Sequence, residues 1–242
     1  MSNVLLSVHG VTKRFRAFVA VSDVSLDLGE GERLGVIGPN GSGKTTLINC
    51  IAGQLRPETG SIAFAGRDVT ALDAYKRARL GLARTFQIPQ PFRGMTVAEN
   101  LYVPLGFGAG GGVADGAALR DAALEILSDL GLAAKADLSC RSLSQIELRK
   151  LELARALAGR PRLLISDEAM AGLSAGEVDE VLDILFRLAE RGITVIMIEH
   201  IMRAIMRFSE RVVCIVAGRL AASGTPEEIV RDPQVQKAYI GE

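Results

Sequence analysis

The chain has 242 residues, enough for one large hydrophobic core or two modest ones. Its 28 basic and 28 acidic side chains cancel, which argues against a nucleic-acid groove, a surface that is usually strongly basic. Cys50, Cys140 and Cys214 are too few and too scattered for a disulfide framework or a metal cluster, and no apolar run approaches the ~20 residues that a membrane span needs.

Met1-Ser2-Asn3 runs straight into a strand-like stretch, so no leader peptide and no membrane crossing are expected. Alternating apolar residues predict strands at Leu5–Val8, at Val24–Leu28 and at Leu34–Ile37. Lys13-Arg14-Phe15 falls between the first two, and Phe15, judged by type alone, reads as a core residue. Gly38-Pro39-Asn40-Gly41-Ser42-Gly43-Lys44-Thr45 follows the third strand and fits G-x-x-x-x-G-K-[ST]. Helical spacing resumes at Thr46–Ala52, so this motif lies between a strand and a helix, the context it requires. Glycines let successive N–H groups turn inward on an anion, and the helix N-terminus adds its positive dipole end. Lys44 would reach the outer phosphates of a nucleotide, and the Thr45 hydroxyl would hold Mg²⁺.

Ser61–Phe64 reads as another strand after a Pro57–Gly60 turn, residues 73–81 as a helix and Ala83–Phe86 as a short strand. Gln87 opens a proline-broken stretch through Gly94 that excludes helix. Thr96–Glu99 is a helix start, Gly108–Gly112 a flexible joint, and helical spacing returns at 115–130 and 144–159. The second half changes pattern. Arg162–Glu168 is an apolar strand ending in two acids, Gly176–Glu190 an amphipathic helix, and Ile193–Ile198 a wholly apolar strand before Glu199-His200. After a further helix, Arg211–Val216 is again a strand. Continuous apolar strands alternating with helices predict an α/β fold with a parallel sheet, whose ligands bind at the carboxyl ends of the strands. The loop at 38–45, Asp167, Glu168 and His200 all fall at such ends.

That set matches the needs of nucleotide hydrolysis, in which a metal is anchored, a water is positioned and phosphate charge is stabilised. Asp167 is suited to hold Mg²⁺ through water, Glu168 to polarise the attacking water, His200 to contact the γ-phosphate, and Gln87 to sense both metal and water. An Asp-Glu pair, a lone His or a Gln before prolines is each commonplace; the four in this order are not.

On these residues the chain resembles, over nearly its whole length, the ATP-binding subunit of an ABC transporter. The resemblance implies a P-loop NTPase (RecA-like) core with an N-terminal antiparallel β portion and an α-helical subdomain. It implies one ATPase domain over 1–242, with 1–87 and 161–242 as catalytic core and 88–160 as helical subdomain. It assigns Phe15 to the adenine ring, Gly38 to Thr46 to the phosphates, Thr45, Gln87 and Asp167 to Mg²⁺, and Glu168, Gln87 and His200 to catalysis. Ala83–Gln87, Met95–Asn100, Ala169–Leu173, Gly224–Ile229 and the ending Ala238–Glu242 are most similar to the branched-chain amino acid importers. Lipid-transport ATPases look alike, and a nucleotide-binding regulator with little hydrolysis is a further alternative.

The family signature, Leu-Ser-Gly-Gly-Gln, is degenerate here: Leu143-Ser144-Gln145-Ile146-Glu147 keeps only its first two residues. In the family this helix N-terminus cradles the γ-phosphate of ATP bound to the opposite subunit. Ile146 brings a branched side chain to a place of close backbone approach, and Glu147 brings a carboxylate to an anion site. Ser144 and Glu147 also fit a capping box, so the helix would cap itself in competition with phosphate. Ser174 stands where the family often has Asp, in a loop that crosses the dimer interface. From the one-sided signature we expect a heterodimer with a second ABC ATPase, favoured over a homodimer. Membrane permease subunits, an external solute-binding protein acting indirectly and no nucleic acid complete the expected partners. The location implied is cytoplasmic, peripheral on the inner face of the cell membrane.

Overall fold

The structure, a computed structural model, describes residues 3–109 and 116–240. Gly110, Gly111 and Gly112 of the predicted joint, the first residue of the 115–130 helix reading, and both chain ends lie outside the described residues. The chain divides into two compact units, one formed by 1–77 with 189–242 and the other by 78–188.

The first unit contains two sheets. In one, β1 (Val4–Phe15) and β2 (Phe18–Gly29) form a long hairpin, extended by β4 (Thr59–Phe64) and β5 (Arg67–Asp68) in the order β2-β1-β4-β5, antiparallel throughout. Both hairpin strands outrun their predicted length. Register shifts break the pairing between Val8 and Val11, and Gly10 and Asp23 take left-handed backbone there. Such bulges let a strand continue where strict alternation in the sequence stops. Lys13, Arg14 and Phe15 therefore end β1 rather than separating two strands. Phe15 is not core: at the hairpin tip it is 47% exposed, with the Lys13 ammonium 5.6 Å from its ring centre.

The other sheet has the order β10-β9-β3-β8 within this unit, with β3 spanning Arg33–Ile37, β8 Thr194–Ile198, β9 Arg211–Val216 and β10 Arg219–Gly224. β3 runs parallel to both β8 and β9, and β10 returns antiparallel to β9. Every residue of β8 is buried, as a strand covered on both faces requires. α1 (Lys44–Ala52) leaves the end of β3, and its own C-terminus receives a buried cation. Arg77 of α2 (Ala74–Arg79), with no exposed surface, donates to the carbonyls of Cys50 and Ile51 at 2.7 Å each, and to those of Leu72 and Thr70. The last carbonyls of a helix lack intrahelical partners and carry its negative dipole end, so a guanidinium satisfies both needs at once. α7 (Met202–Phe208), α8 (Pro226–Arg231) and α9 (Pro233–Ile240) complete the unit.

In the second unit, β6 (Leu82–Arg84) pairs in parallel with β7 (Leu163–Asp167), all of whose residues are buried. α3 (Glu99–Phe107), α4 (Gly116–Asp129) and α5 (Gln145–Ala158) pack on one another through Leu101, Leu105, Ala123, Leu127 and Leu151. α6 (Ala175–Glu190) buries Val178, Val181, Leu182, Leu185 and Leu188 at helical spacing. The segment 88–94 contains no helix, as its prolines require. The molecule is thus a mixed α/β protein of the P-loop NTPase type, with an antiparallel β portion and parallel strands.

Candidate nucleotide site and hydrolytic residues

The phosphate loop belongs to the first unit. Gly38 directly follows β3 and Gly43 caps α1 with a left-handed backbone that makes no side-chain capping bond. The first turn of α1 therefore keeps its N–H groups open to an anion. A Cβ on Gly38 would meet the Ile215 carbonyl at 2.1 Å, and one on Gly43 the Ala20 carbonyl at 2.3 Å, so both positions demand glycine. The loop is tied down by the turn after β9: the Gly218 N–H donates to the Ser42 carbonyl at 2.8 Å. Lys44 is buried, and its ammonium bonds the carbonyls of Gly38 at 2.7 Å and Pro39 at 3.0 Å. Ser42 is buried with its hydroxyl lacking any hydrogen-bond partner among the described residues. An orphaned hydroxyl, a buried cation and uncapped helix N–H groups form a donor set that fits phosphate oxygens. Asn40, Gly41 and Thr45 are exposed, and Pro39 and Thr46 half-buried, along the same loop. His200, two residues beyond β8, is exposed and follows the buried Glu199.

Sequence reasoning passed over one member of this neighbourhood. Tyr239 on α9 accepts a hydrogen bond from the Gly38 N–H at 2.8 Å. Burial pushes its phenol above the ordinary value, partly offset by that same bond. The contact spans 201 residues, so no local pattern announces it.

The acidic residues belong to the second unit. Asp167, the buried last residue of β7, receives the Arg84 guanidinium at 2.6 Å, and its N–H donates to the Thr85 hydroxyl. Glu168 has φ 47, left-handed for a residue with a Cβ, and the Gln87 amide donates to its carboxylate at 2.5 Å. Such backbone costs on the order of 1–3 kcal/mol and collects at functional sites. β6 and β7 thus bring Gln87 to Asp167 and Glu168, with Gln87 and Glu168 81 residues apart in the chain. Two residues of α5 grip Phe86, the residue before Gln87: Glu152 accepts from its N–H at 2.8 Å, and Arg149 donates to its carbonyl at 3.1 Å. Their only sequence signal is a charge pair on an otherwise buried helical face.

At the degenerate signature the capping box is present. The Ser144 hydroxyl accepts from the Glu147 N–H, and the Glu147 carboxylate accepts from the Ser144 N–H at 2.9 Å. Lys135 pairs with Glu147 at 2.5 Å, and these two donors hold its carboxyl below the usual range. The Gln145 amide donates to the Ala171 carbonyl, and Ile146 is half-buried beside it. Ser174 caps α6 in the same manner, exchanging hydrogen bonds with Glu177.

Residues 21–171 match the family model for the ABC transporter, and residues 219–242 that for the branched-chain amino acid ATP-binding cassette transporter. The chain is 39% identical, over all of both chains, to the high-affinity branched-chain amino acid transport ATP-binding protein LivG of Salmonella typhimurium. It is 38% identical, again over both full lengths, to BraF of Pseudomonas aeruginosa, which carries the same description. The lipopolysaccharide export system ATP-binding protein LptB of Acidithiobacillus ferridurans is 37% identical over 98% of this chain and 97% of its own. Among solved structures, the ADP form of the ATP-binding cassette MJ1267 superposes with a TM-score of 0.89 over all of both chains at 30% identity.

The expected partner set, a second and unlike ATPase favoured over a homodimer together with permease and external binding-protein subunits, does not stand. A solved cassette 26% identical over 92% of this chain and 99% of its own, MJ0796, is described as dimeric in its own right, with a TM-score of 0.83. That cassette is thus described as a dimer with no unlike ATPase named beside it. The capping box is satisfied within this chain by Ser144, Glu147 and Lys135, so it carries no information about a second chain, nor about permease or binding-protein subunits. The family model, the full-length relatives and the shared fold agree: the chain belongs to the ATP-binding cassette family of ABC transporters, and is a nucleotide-binding ATPase of membrane transport.

Proposed function

We propose that this ATPase powers the import of branched-chain amino acids, acting from the inner face of the cell membrane with Mg²⁺-bound ATP as its fuel. The observation that carries the cargo is the match of residues 219–242 to the branched-chain transporter model, supported by the LivG and BraF likeness. The whole of 1–242 serves as one cassette, with 88–160 as its helical subdomain. Among the described residues no helix is long and apolar enough to cross a membrane.

ATP is held by Gly38, Pro39, Asn40, Gly41, Ser42, Gly43, Lys44, Thr45 and Thr46, with Phe15 offering an exposed ring to the base. Lys44 exchanges the carbonyls of Gly38 and Pro39 for phosphate oxygens, a stronger, charge-assisted partner. Thr45, Gln87 and Asp167 offer oxygen donors that would hold Mg²⁺, which would supply charge neutralisation to the phosphates. Arg84 holds one oxygen of Asp167, and the carboxylate would help to hold the metal when it is bound. Glu168 accepts a proton from the attacking water, Gln87 holds the Glu168 carboxylate until nucleotide arrives, and His200 contacts the γ-phosphate. Ser144, Gln145, Ile146 and Glu147 form a signature weakened by its own cap.

Removal of this chain from its host should abolish uptake of radiolabelled leucine, isoleucine and valine at low external concentration. The wild-type chain should restore uptake, and Lys44→Ala should not. Unchanged uptake of all three in the deleted strain, with altered export of lipopolysaccharide, would replace this cargo by the lipid reading that the 37% likeness to LptB supports.

A further inference from the structure

The phosphate loop begins at a residue gripped from two directions. The Gly38 carbonyl accepts from the Lys44 ammonium at 2.7 Å, and the Gly38 N–H donates to the Tyr239 hydroxyl at 2.8 Å. Gly38 itself is buried, with φ +149, and the Ile215 carbonyl occupies the place a Cβ would take. It has no room to shift towards β9, so its two hydrogen bonds, one on each of the peptide groups that flank its Cα, fix the orientation of the residue that opens the loop. Tyr239 in turn is held by its helix. The Asp232 carboxylate accepts from the N–H groups of Gln234 and Val235 at the start of α9, Val235 is buried, and α9 packs on α8 and β10.

The geometry assigns Tyr239 as a positioning residue for the nucleotide: its hydroxyl anchors the N–H of the first residue of the phosphate loop, so that the C-terminal helix sets ATP affinity. The inference rests on the reading of 38–46 as the ATP site. Without nucleotide, Gly38 is held by Lys44 and Tyr239 together. When phosphate draws the Lys44 ammonium away, the Tyr239 hydroxyl is the remaining one of the two. Losing it therefore costs more in the bound state than in the free state, and only such a difference changes affinity. The net strength of a neutral hydrogen bond translates into roughly a three- to tenfold change in Kd.

Tyr239→Phe removes the acceptor and keeps the ring. In the full chain, Kd for Mg²⁺-ATP by calorimetry and KM for ATP should both rise roughly three- to tenfold, with kcat changed by less than about twofold. The melting temperature of the nucleotide-free protein should fall modestly, because the buried Gly38 N–H loses its acceptor while the Lys44 bond to the carbonyl persists. A purely structural role for Tyr239 would lower that melting temperature and leave Kd and KM for ATP unmoved, and would overturn the proposal. So would ATP affinity equal to wild type in a folded Tyr239→Phe protein. Amide exchange at Gly38 in the wild-type protein supplies a measurement independent of any variant. Its protection should survive addition of Mg²⁺-ATP, and its loss would overturn the proposal. A wild-type chain that binds no ATP at all would instead remove the reading of 38–46 on which this inference stands.

Discussion

Glu152 is a buried carboxyl with one oxygen on the Phe86 N–H and the other without a hydrogen-bond partner among the described residues. Burial raises it to about 7, against the pull of the Phe86 N–H and of Arg149 and Arg155, and with Asp167 adding to the rise. Its ordinary value is 4.5, so between there and 7 the folded chain binds more proton than the unfolded one. Stability from this group is full below the lower value and is lost as pH rises through the upper one. Glu152→Gln keeps an acceptor for Phe86 and never ionises. The stability of the variant relative to wild type should rise between pH 5 and pH 8, by up to about 3 kcal/mol. Urea unfolding of both proteins at the two pH values checks this; an equal difference at both would contradict it. The sequence shows Glu152 only as half of a charge pair on α5 and not as an acceptor, because that role depends on Phe86, 66 residues away.

Helix α5 shows how an element can be read from sequence while its consequence needs the structure. Ser144 and Glu147 at capping-box spacing are legible as such, and the box is formed. Lys135, which pins the Glu147 carboxylate, comes from a distant turn and was not legible. With both donors engaged, the charge stays at the helix N-terminus, where it satisfies N–H groups that a phosphate would use. Replacing Ile146→Gly together with Glu147→Gln should raise steady-state phosphate release several-fold, even though glycine in the first turn lowers helix stability by about 1 kcal/mol. No gain in rate, in a variant that remains folded, would show that the self-cap does not limit turnover. The hairpin of β1 and β2 erred in the other direction. Its strands run further than their alternation because bulges at Gly10 and Asp23 break the pattern without ending the pairing. Phe15 was misplaced into the core for the same reason, since the sequence hides that it lies at a hairpin tip.

At the scale of the molecule, the parallel strands and the motifs at their ends were legible because each is a continuous run: β3 into Gly38–Thr45, β7 into Asp167-Glu168, β8 towards His200. The contacts that tune them were not, since Arg77 under α1, Tyr239 at Gly38 and Arg84 at Asp167 all join distant stretches. What unites the account is an ATP held by the phosphate loop and split with Glu168 as the group that activates water. The most direct measurement is phosphate release and ATP binding by the Glu168→Gln protein beside wild type. The account predicts ATP affinity within a few-fold of wild type and turnover reduced at least ~100-fold. Turnover within a factor of about two of wild type, in a variant that binds ATP normally, would contradict it.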